Sequence, residues 1–284
     1  VTGLKPGTKY TYEVFSQEDN NGKLSKPISK AVNAHGNPYS FRTNDRNKES
    51  ISWLMVTDIH YNNYIKNNFE MHITPERLEG KDFVAFDGDM VTTMSSEKTH
   101  FDRLFSKIHN ILDSKDAQFY YVRGNHESRG NFAQKYMEYY PTWTGMPYYA
   151  FRHGPVFFIV IDGGEDKPDS NIEYYETANY DQYRVEEAEW LKKVLQSEEC
   201  KNAKHRIVLM HMPPLNGNKM WHGPLHAAKC FLPLLNEANI DVMLGQEVLA
   251  GEPIGRMNPD KPEMYLEVRR GNKAVDPARL FKEN

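Results

Sequence analysis

The sequence contains no long apolar run. Its apolar stretches are all shorter than ten residues, whereas a helix that crosses a bilayer needs roughly 20. It also has no large excess of charge, because 35 Lys and Arg residues stand against 39 Asp and Glu residues, for a net charge of −4. These absences argue against a membrane-spanning segment and against general binding to nucleic acids or to charged membrane surfaces.

Cysteine is scarce as well. Only Cys200 and Cys230 occur in the 284 residues, each in or beside a predicted helix and neither in a CxxC pair. A disulfide scaffold and a structural zinc-cysteine site are therefore not expected. The length is sufficient for a large hydrophobic core that needs no such crosslinks.

The first 44 residues have the pattern of β-structure. Residues 9–15 alternate as a strand does, after a turn signal at 4–8, and residues 39–43 form a second candidate strand. This segment resembles the last two strands of a fibronectin type III-like domain, with Tyr10 placed like its corner tyrosine. We expect residues 1–44 to be the C-terminal part of such a domain; a hairpin packed on the next domain is the alternative. A polar linker, 44–50, follows.

From residue 51 the pattern changes to strands that alternate with helices, which is typical of an α/β domain. Helical spacing of apolar residues is found at 101–112 and 185–194, and a further helix is expected at 225–238. We predict strands at 51–57, 83–86, 119–122, 148–151, 156–161, 207–210 and 240–244.

Two segments do not follow this alternation. Residues 163–182 are a polar insertion with six acidic residues and one lysine, a composition that favours a solvated loop over an active-site lid. Residues 249–284 carry four prolines and many charges, and only 264–268 have the pattern of a strand. We therefore expect residues 249–284 to be an atypical, irregular tail.

Polar residues follow the predicted strands at the ends where α/β sheets bind ligands. Oxygen and imidazole donors of this kind suit a metal site better than an acid/base pair. The motifs are Asp58-Ile59-His60, Asp87-Gly88-Asp89, Gly124-Asn125-His126-Glu127 and His211.

These motifs, in this order, resemble those of the calcineurin-like metallophosphoesterase superfamily, and within it those of purple-acid-phosphatase-like proteins that carry an N-terminal β-sandwich. The resemblance covers about residues 51–245, and we expect the metallophosphoesterase domain to span 51–248. It implies an α/β fold of two packed β-sheets flanked by helices, a four-layer sandwich. It also implies a dinuclear metal centre that hydrolyses phosphate esters.

The resemblance assigns a role to each motif. Asp58 and His60 would bind the first metal, Asp89 would bridge both, and Asn125 and His211 would bind the second. The ions would be divalent or trivalent Fe, Zn or Mn, which these donors do not distinguish. His126 would be the catalytic residue, placed over the substrate to give a proton or hydrogen bond to the leaving oxygen. Glu127 would orient a neighbouring group or lie on the surface.

The sequence departs from the family pattern in two places. The family ends its core with Gly-His-x-His, but this chain has Gln246 and Val248 at the two histidine positions, with Glu247 between them. A shifted or truncated reading frame near Gly245 would explain both this loss and the aperiodic tail. Thr92 stands where purple acid phosphatases have a tyrosine, so the coloured iron pair of that subfamily is not expected.

His222 and His226 are further candidates because they lie four residues apart. Gly223 and Pro224 stand between them and argue against a regular helical pair. We therefore expect a loop and the start of a helix at this position.

The sequence leads to one main functional hypothesis and two alternatives. The main one is an exported, metal-dependent phosphoesterase whose activity is weakened by the missing histidines. The first alternative is an inactive phosphoesterase fold that binds a ligand at the cell surface. The second is a nuclease, which would require a basic groove that the composition does not indicate.

Overall fold

A computed structural model describes residues 2–16, 19–20, 23–24, 29–31, 36–60, 73–113, 118–214, 221–245, 268–270 and 273–275. Its N-terminal strands pair as one nested antiparallel hairpin, β1 with β6, β2 with β5 and β3 with β4. These strands are β1 (Lys9–Tyr12), β2 (Val14–Ser16), β3 (Asp19–Asn20), β4 (Lys23–Leu24), β5 (Ser29–Ala31) and β6 (Tyr39–Arg42).

Tyr10 lies in β1 opposite Phe41, and its hydroxyl accepts a hydrogen bond of 2.8 Å from the backbone N–H of Lys5. Such a bond to backbone a few residues upstream is what a corner tyrosine makes. The assignment of this segment to a fibronectin type III-like domain stays a prediction. The predicted linker is attached to the following core, because Asn44 hydrogen-bonds the Tyr120 hydroxyl at 2.8 Å and Asp45 accepts from Gly154 N–H at 2.8 Å.

Two β-sheets form the centre of the α/β part. The first has three parallel strands in the order β7-β8-β9. The second has the order β10-β11-β12-β13, in which only the β10–β11 pair is antiparallel. The strands are β7 (Trp53–Val56), β8 (Phe83–Asp87), β9 (Gln118–Val122), β10 (Tyr149–His153), β11 (Val156–Val160), β12 (His205–Leu209) and β13 (Val242–Leu244). All seven predicted strands are confirmed.

The two sheets pack face to face with helices on their outer faces. Apolar residues from both sheets, such as Phe83 and Phe158, form one core, and these two rings meet edge to face at 5.4 Å. The other face of each sheet packs against its own helices. This is the α/β sandwich of two packed sheets that the family resemblance implies. The helices are α1 (Pro75–Leu78), α2 (Glu97–His100), α3 (Ser106–Asp113), α4 (Tyr136–Tyr139), α5 (Tyr180–Leu195), α6 (Glu198–Lys201) and α7 (His222–Glu237).

The helix predicted at 101–112 is present, but it contains a π-helical segment, Phe101–Phe105, between α2 and α3. A π-helical turn takes in an extra residue and rotates the side chains that precede it. Phe101 is consequently 46% exposed, although its spacing predicts a core position. Leu104 and Ile108 are buried as expected.

The buried face of α5 also differs from the apolar pattern. Val185 is 45% exposed, whereas Arg184 and Glu187 are buried beside Leu191. Arg184 donates to the backbone carbonyls of Gly163 and Glu165. The inward face of α5 is thus partly polar, since Arg184 on this face binds the backbone at the start of the 163–182 insertion.

The predictions for the tail are wrong in part. Val268–Arg270 (β14) and Lys273–Val275 (β15) pair in antiparallel fashion, whereas only one strand, at 264–268, was expected. Residues 264–267 lie outside the described part of the chain. Among the described helices, none is long and apolar enough to cross a membrane. Cys200 is buried and Cys230 is partly buried, and the structure joins neither in a disulfide.

Acidification should destabilise the fold through His100, which is 2% exposed and whose Nε2 lies 2.8 Å from the Tyr140 hydroxyl. Burial lowers the pKa of His100 from 6.5 to about 4. The unfolded chain therefore binds a proton between pH 6.5 and 4 that the folded chain does not, and the free energy of unfolding falls as pH falls through this window. The shift corresponds to about 3 kcal/mol.

Denaturant unfolding at pH 7 and at pH 4.5 measures this effect. His100→Gln keeps a partner for Tyr140 but cannot titrate, so the variant should lose less stability between the two pH values than the original chain. Equal losses in the two proteins would contradict the assignment.

Candidate metal centre

Three of the predicted ligands have left-handed backbone conformations. The φ angles are +54° for Asp58, +46° for His60 and +53° for Asp89, directly after β7 and β8. Non-glycine residues rarely adopt such angles, at a cost on the order of 1–3 kcal/mol each, and they concentrate at functional sites. The sharp turns bring the side chains to the carboxyl edge of the first sheet.

Asp89 is the centre of the cluster. Its Oδ2 lies 3.2 Å from His211 Nε2, 3.7 Å from His60 Nε2 and 3.7 Å from His126 Nε2. Asp58, Asp89 and His211 form one group of donors within 4.8 Å of one another, and His60, Asp89 and His126 form a second. A carboxylate common to two donor groups can lie between two adjacent cations. The groups divide the other residues differently from the prediction, because Asp58 lies with His211 and His60 with His126, although Asp58 Oδ1 is also 3.4 Å from His60 Nε2.

His211 has the tautomer of a metal ligand. Its Nδ1 donates to the backbone carbonyl of Asp87 at 2.6 Å, so Nε2 is the nitrogen that faces Asp89 and could bind a metal. Nε2 is buried and makes no well-aligned hydrogen bond, although Asp89 lies beside it. Burial lowers the pKa of His211, but the adjacent Asp89 outweighs this effect and raises the pKa to about 9. A metal ion would take the place of that proton.

The Asn125 amide lies between an acceptor and a donor. One end is 3.3 Å from Asp89 Oδ2, and the other is 2.7 Å from Arg129 Nη2. With its nitrogen toward Asp89 the amide makes two ordinary hydrogen bonds. With its oxygen toward Asp89 two acceptors face each other, an arrangement that a cation between them would stabilise. That second orientation also places the amide nitrogen against the Arg129 Nη2 donor, so Asn125 could serve as an oxygen ligand only if the contact with Arg129 changed.

Glu127 is buried and positions the loops of the site. Its carboxylate accepts hydrogen bonds from the backbone N–H groups of Asp89 (2.8 Å), Met90 (2.8 Å) and Gly124 (2.9 Å), and from the Tyr121 hydroxyl (2.9 Å). The structure therefore excludes the alternative of a surface carboxylate and supports an orienting role. Burial and the charge of Asp89 raise the pKa of Glu127.

Two glycines allow this close approach of the strand ends. A Cβ atom on Gly124 would lie 2.2 Å from Asp89 Oδ1, and one on Gly88, whose φ is +78°, would lie 2.6 Å from the His211 ring. Neither position can hold a side chain unless the ligand residues move.

His126 makes two hydrogen bonds that define its tautomer. Its Nδ1 lies 2.7 Å from the carbonyl of Thr92, and its Nε2 lies 3.1 Å from Arg129 Nη1. Because a carbonyl only accepts and a guanidinium only donates, the proton is on Nδ1 and the lone pair on Nε2. Thr92, at the position of the family tyrosine, thus contributes its backbone to the site.

Arg129 and Glu165 belong to the site but were not predicted from the sequence. Arg129 donates from Nε to Glu165 Oε1 at 2.9 Å and from Nη2 to Oε2 at 2.7 Å. Glu165 is 2% exposed and begins the 163–182 insertion. The expectation of a solvated loop is therefore wrong for this end of the insertion, although Ile172 and Tyr175 are 85% and 84% exposed. Tyr174 also hydrogen-bonds Glu165, at 3.2 Å.

His222 and His226 are a regular helical pair, contrary to prediction. Both lie in the first turns of α7, and their rings stack with centroids 5.9 Å apart. Pro224 is tolerated because the first N–H groups of a helix have no intrahelical partner. Both imidazoles face Asp181, at 2.8 Å from His222 Nε2 and 3.4 Å from His226 Nδ1, and neither is in the two donor groups around Asp89.

The final motif lies outside the described residues. Gln246, Glu247 and Val248 follow Gly245, the last residue described after β13. A Cβ atom on Gly245 would lie 2.3 Å from the carbonyl of Met210, so the chain leaves β13 packed tightly beside the strand that carries His211.

The chain is similar to known proteins in sequence and in fold. The model of the calcineurin-like phosphoesterase family matches residues 52–245. The purple acid phosphatase PPD1 from yellow lupin (Lupinus luteus) seeds has a similar fold, with a TM-score of 0.56 and 16% identity over 84% of this chain and 43% of the lupin chain. The chain thus spans less than half of the lupin protein's length.

A dimetal phosphatase from Danio rerio is more distant. Its TM-score is 0.46 with 13% identity, over 69% of this chain and 80% of that one. No curated protein sequence matches the chain. Because the family model covers more than half of the sequence, the chain belongs to the calcineurin-like phosphoesterase family.

Proposed function

We propose that the protein hydrolyses phosphate esters with a dinuclear metal centre. The observation that carries this proposal is the position of Asp89, whose carboxylate is shared by two groups of metal-ligating side chains. Family membership supports the same chemistry, and the lupin protein of similar fold is a phosphatase.

By the family resemblance, Asp58 and His60 would hold the first ion and Asn125 and His211 the second, with Asp89 between them; the two donor groups of the structure share Asp89 but divide the other residues differently. The ions, which can be Fe, Zn or Mn, would supply an activated water and neutralise phosphate oxygens. Asn125 adds an oxygen without negative charge, which keeps the site attractive to an anionic substrate.

The remaining residues of the site position its loops or act on the substrate. Glu127 keeps Asp89 and Gly124 in position through the backbone. His126 would face the leaving oxygen of the ester through Nε2. To give a proton there, Nε2 would have to release its hydrogen bond from Arg129 and become protonated. Because Gln246 and Val248 replace the two family histidines, each ion would have three protein ligands. Three ligands hold catalytic metals in other proteins, but we expect a lower metal affinity here.

Hydrolysis of an aryl phosphate monoester and diester, with Mn, Zn or Fe supplied, tests the proposal. We expect metal-dependent turnover that falls about 10²- to 10⁴-fold in His126→Ala, as for loss of a general acid or base. His205→Ala is the matched control, because His205 lies at the opposite end of β12 from His211 and is 32% exposed against 23% for His126. Its turnover should be unchanged.

The assay also separates the alternatives. A chain that binds metal but hydrolyses neither ester would favour the binding module at the cell surface. Cleavage of nucleic acid in preference to small esters would favour the nuclease. Export of the protein remains a prediction, and cell fractionation followed by detection of the protein would test it.

A further inference from the structure

We propose that Arg129 binds the phosphoryl group of the substrate and makes the centre selective for phosphate monoesters over diesters. The inference rests on the proposed function. Arg129 follows the 3₁₀ turn His126–Ser128, which carries it to the rim of the site. Its Nη1 lies 3.1 Å from His126 Nε2, and its Nη2 lies 2.7 Å from the Asn125 amide. The guanidinium therefore touches the catalytic candidate and a candidate ligand at once.

The guanidinium is held rigidly before any substrate arrives. Two parallel hydrogen bonds join it to Glu165, whose side chain is 3% exposed. Ser128 Oγ and the Tyr174 hydroxyl lie 2.8 Å and 3.2 Å from the same carboxylate. A bidentate pair of this kind fixes the plane of the guanidinium, so little further entropy is lost when it binds an anion.

One edge of the guanidinium remains available. The Arg129 side chain is 28% exposed, and Nη1 carries a second N–H that makes no hydrogen bond to any residue in the described ranges. Arg123 and Arg184 also lie nearby in the fold, but Arg123 binds Asp162 and Arg184 is fully buried. Among these three arginines, Arg129 is the one whose guanidinium contacts His126, and its side chain is partly exposed.

Planar, charged donors discriminate between the two ester classes. A phosphate monoester offers three terminal oxygens and up to two negative charges, whereas a diester offers two oxygens and one charge. The free N–H of Arg129 can donate one charge-assisted hydrogen bond to a phosphate oxygen, and such a bond strengthens as the negative charge of the acceptor increases. Arg129 therefore gains more from the terminal oxygen that only a monoester has.

The selectivity originates in the polar insertion. Glu165 and Tyr174, which hold Arg129, both lie in the 163–182 segment, and Asp166 Oδ1 is 3.5 Å from Arg129 Nη2. The insertion thus places the specificity residue although it supplies none of the candidate metal ligands.

Binding of inorganic phosphate and of dimethyl phosphate to the metal-loaded chain, measured by calorimetry, tests the inference without turnover. The original chain should prefer inorganic phosphate. Arg129→Ala should weaken phosphate binding about 10- to 100-fold, the effect of a charged hydrogen bond, and change dimethyl phosphate binding less than about threefold. Arg129→Lys should recover part of the lost phosphate affinity, because lysine keeps the positive charge but lacks the planar guanidinium.

Two further variants keep the test decisive. Arg46→Ala removes an exposed arginine that pairs with Glu199, and it should leave both affinities unchanged. Arg129→Ala combined with Glu165→Gln avoids a buried unpaired carboxylate and should show the same loss of phosphate binding as Arg129→Ala alone. An equal loss for both anions, or no loss, would overturn the inference. Absence of ester turnover with intact, Arg129-dependent phosphate preference would instead refute only the proposed hydrolysis.

Discussion

Asp89→Asn is expected to abolish stable binding of two metal ions and to reduce ester hydrolysis at least about 100-fold, because loss of even an outer-shell partner commonly costs 10- to 100-fold. The substitution removes the negative charge of the side chain but keeps its size and shape. Asp89 Oδ1 accepts the backbone N–H of His126 at 2.9 Å, and an asparagine oxygen can keep this bond. The loss would therefore report on the negative charge that Asp89 shares between the two donor groups.

Metal content after dialysis and the rate of aryl phosphate hydrolysis are the two readouts. Asp82→Asn is the matched control, since Asp82 precedes the opposite end of β8 and binds Lys48 and the Ser52 N–H. We expect its metal content to equal that of the original chain. If Asp89→Asn retained two ions and full activity, the assignment of Asp89 as the bridging ligand would be wrong.

Arg123→Met is expected to lower the free energy of unfolding by about 3–5 kcal/mol, the effect of leaving one partner of a buried ion pair alone. Arg123 Nη2 lies 2.5 Å from Asp162 Oδ2, and the two side chains are 15% and 1% exposed. Tyr183 donates to the same oxygen at 2.7 Å. Methionine would fill the volume of the arginine stem but would leave the Asp162 carboxylate without its counter-ion.

Denaturant unfolding of Arg123→Met, Asp162→Asn and the double variant measures this pair. The double variant should be more stable than Arg123→Met, because no uncompensated charge remains in it. A loss below about 1 kcal/mol in Arg123→Met would show that the pair behaves as an exposed one. The result matters for the site because Arg123 immediately precedes Gly124.

Much of the fold is predictable because apolar runs bounded by polar turns define short buried strands. The ends of β7, β8 and β9 deliver Asp58, Asp89 and Asn125 to one edge, as their order in the sequence indicates. Because neighbouring parallel strands have their carboxyl ends at the same edge of the sheet, this placement can be predicted without knowledge of side-chain contacts.

The predictions fail where contacts join distant positions or where local rules compete. Arg129 and Glu165 are 36 positions apart, and only the folded chain shows that they meet. The partly polar buried face of α5 follows from backbone carbonyls that Arg184 must satisfy, so Val185 is displaced to the surface. His222 begins a helix despite the glycine and proline that follow it, because helix starts tolerate both residues.

The measurement that tests the central claim most directly is ester hydrolysis as a function of metal ions bound per chain. The account predicts no turnover without metal, and activity that rises until two ions are bound and then stays constant. Full hydrolysis in the presence of a strong chelator, or activity that is complete with one ion, would contradict a dinuclear centre built around Asp89.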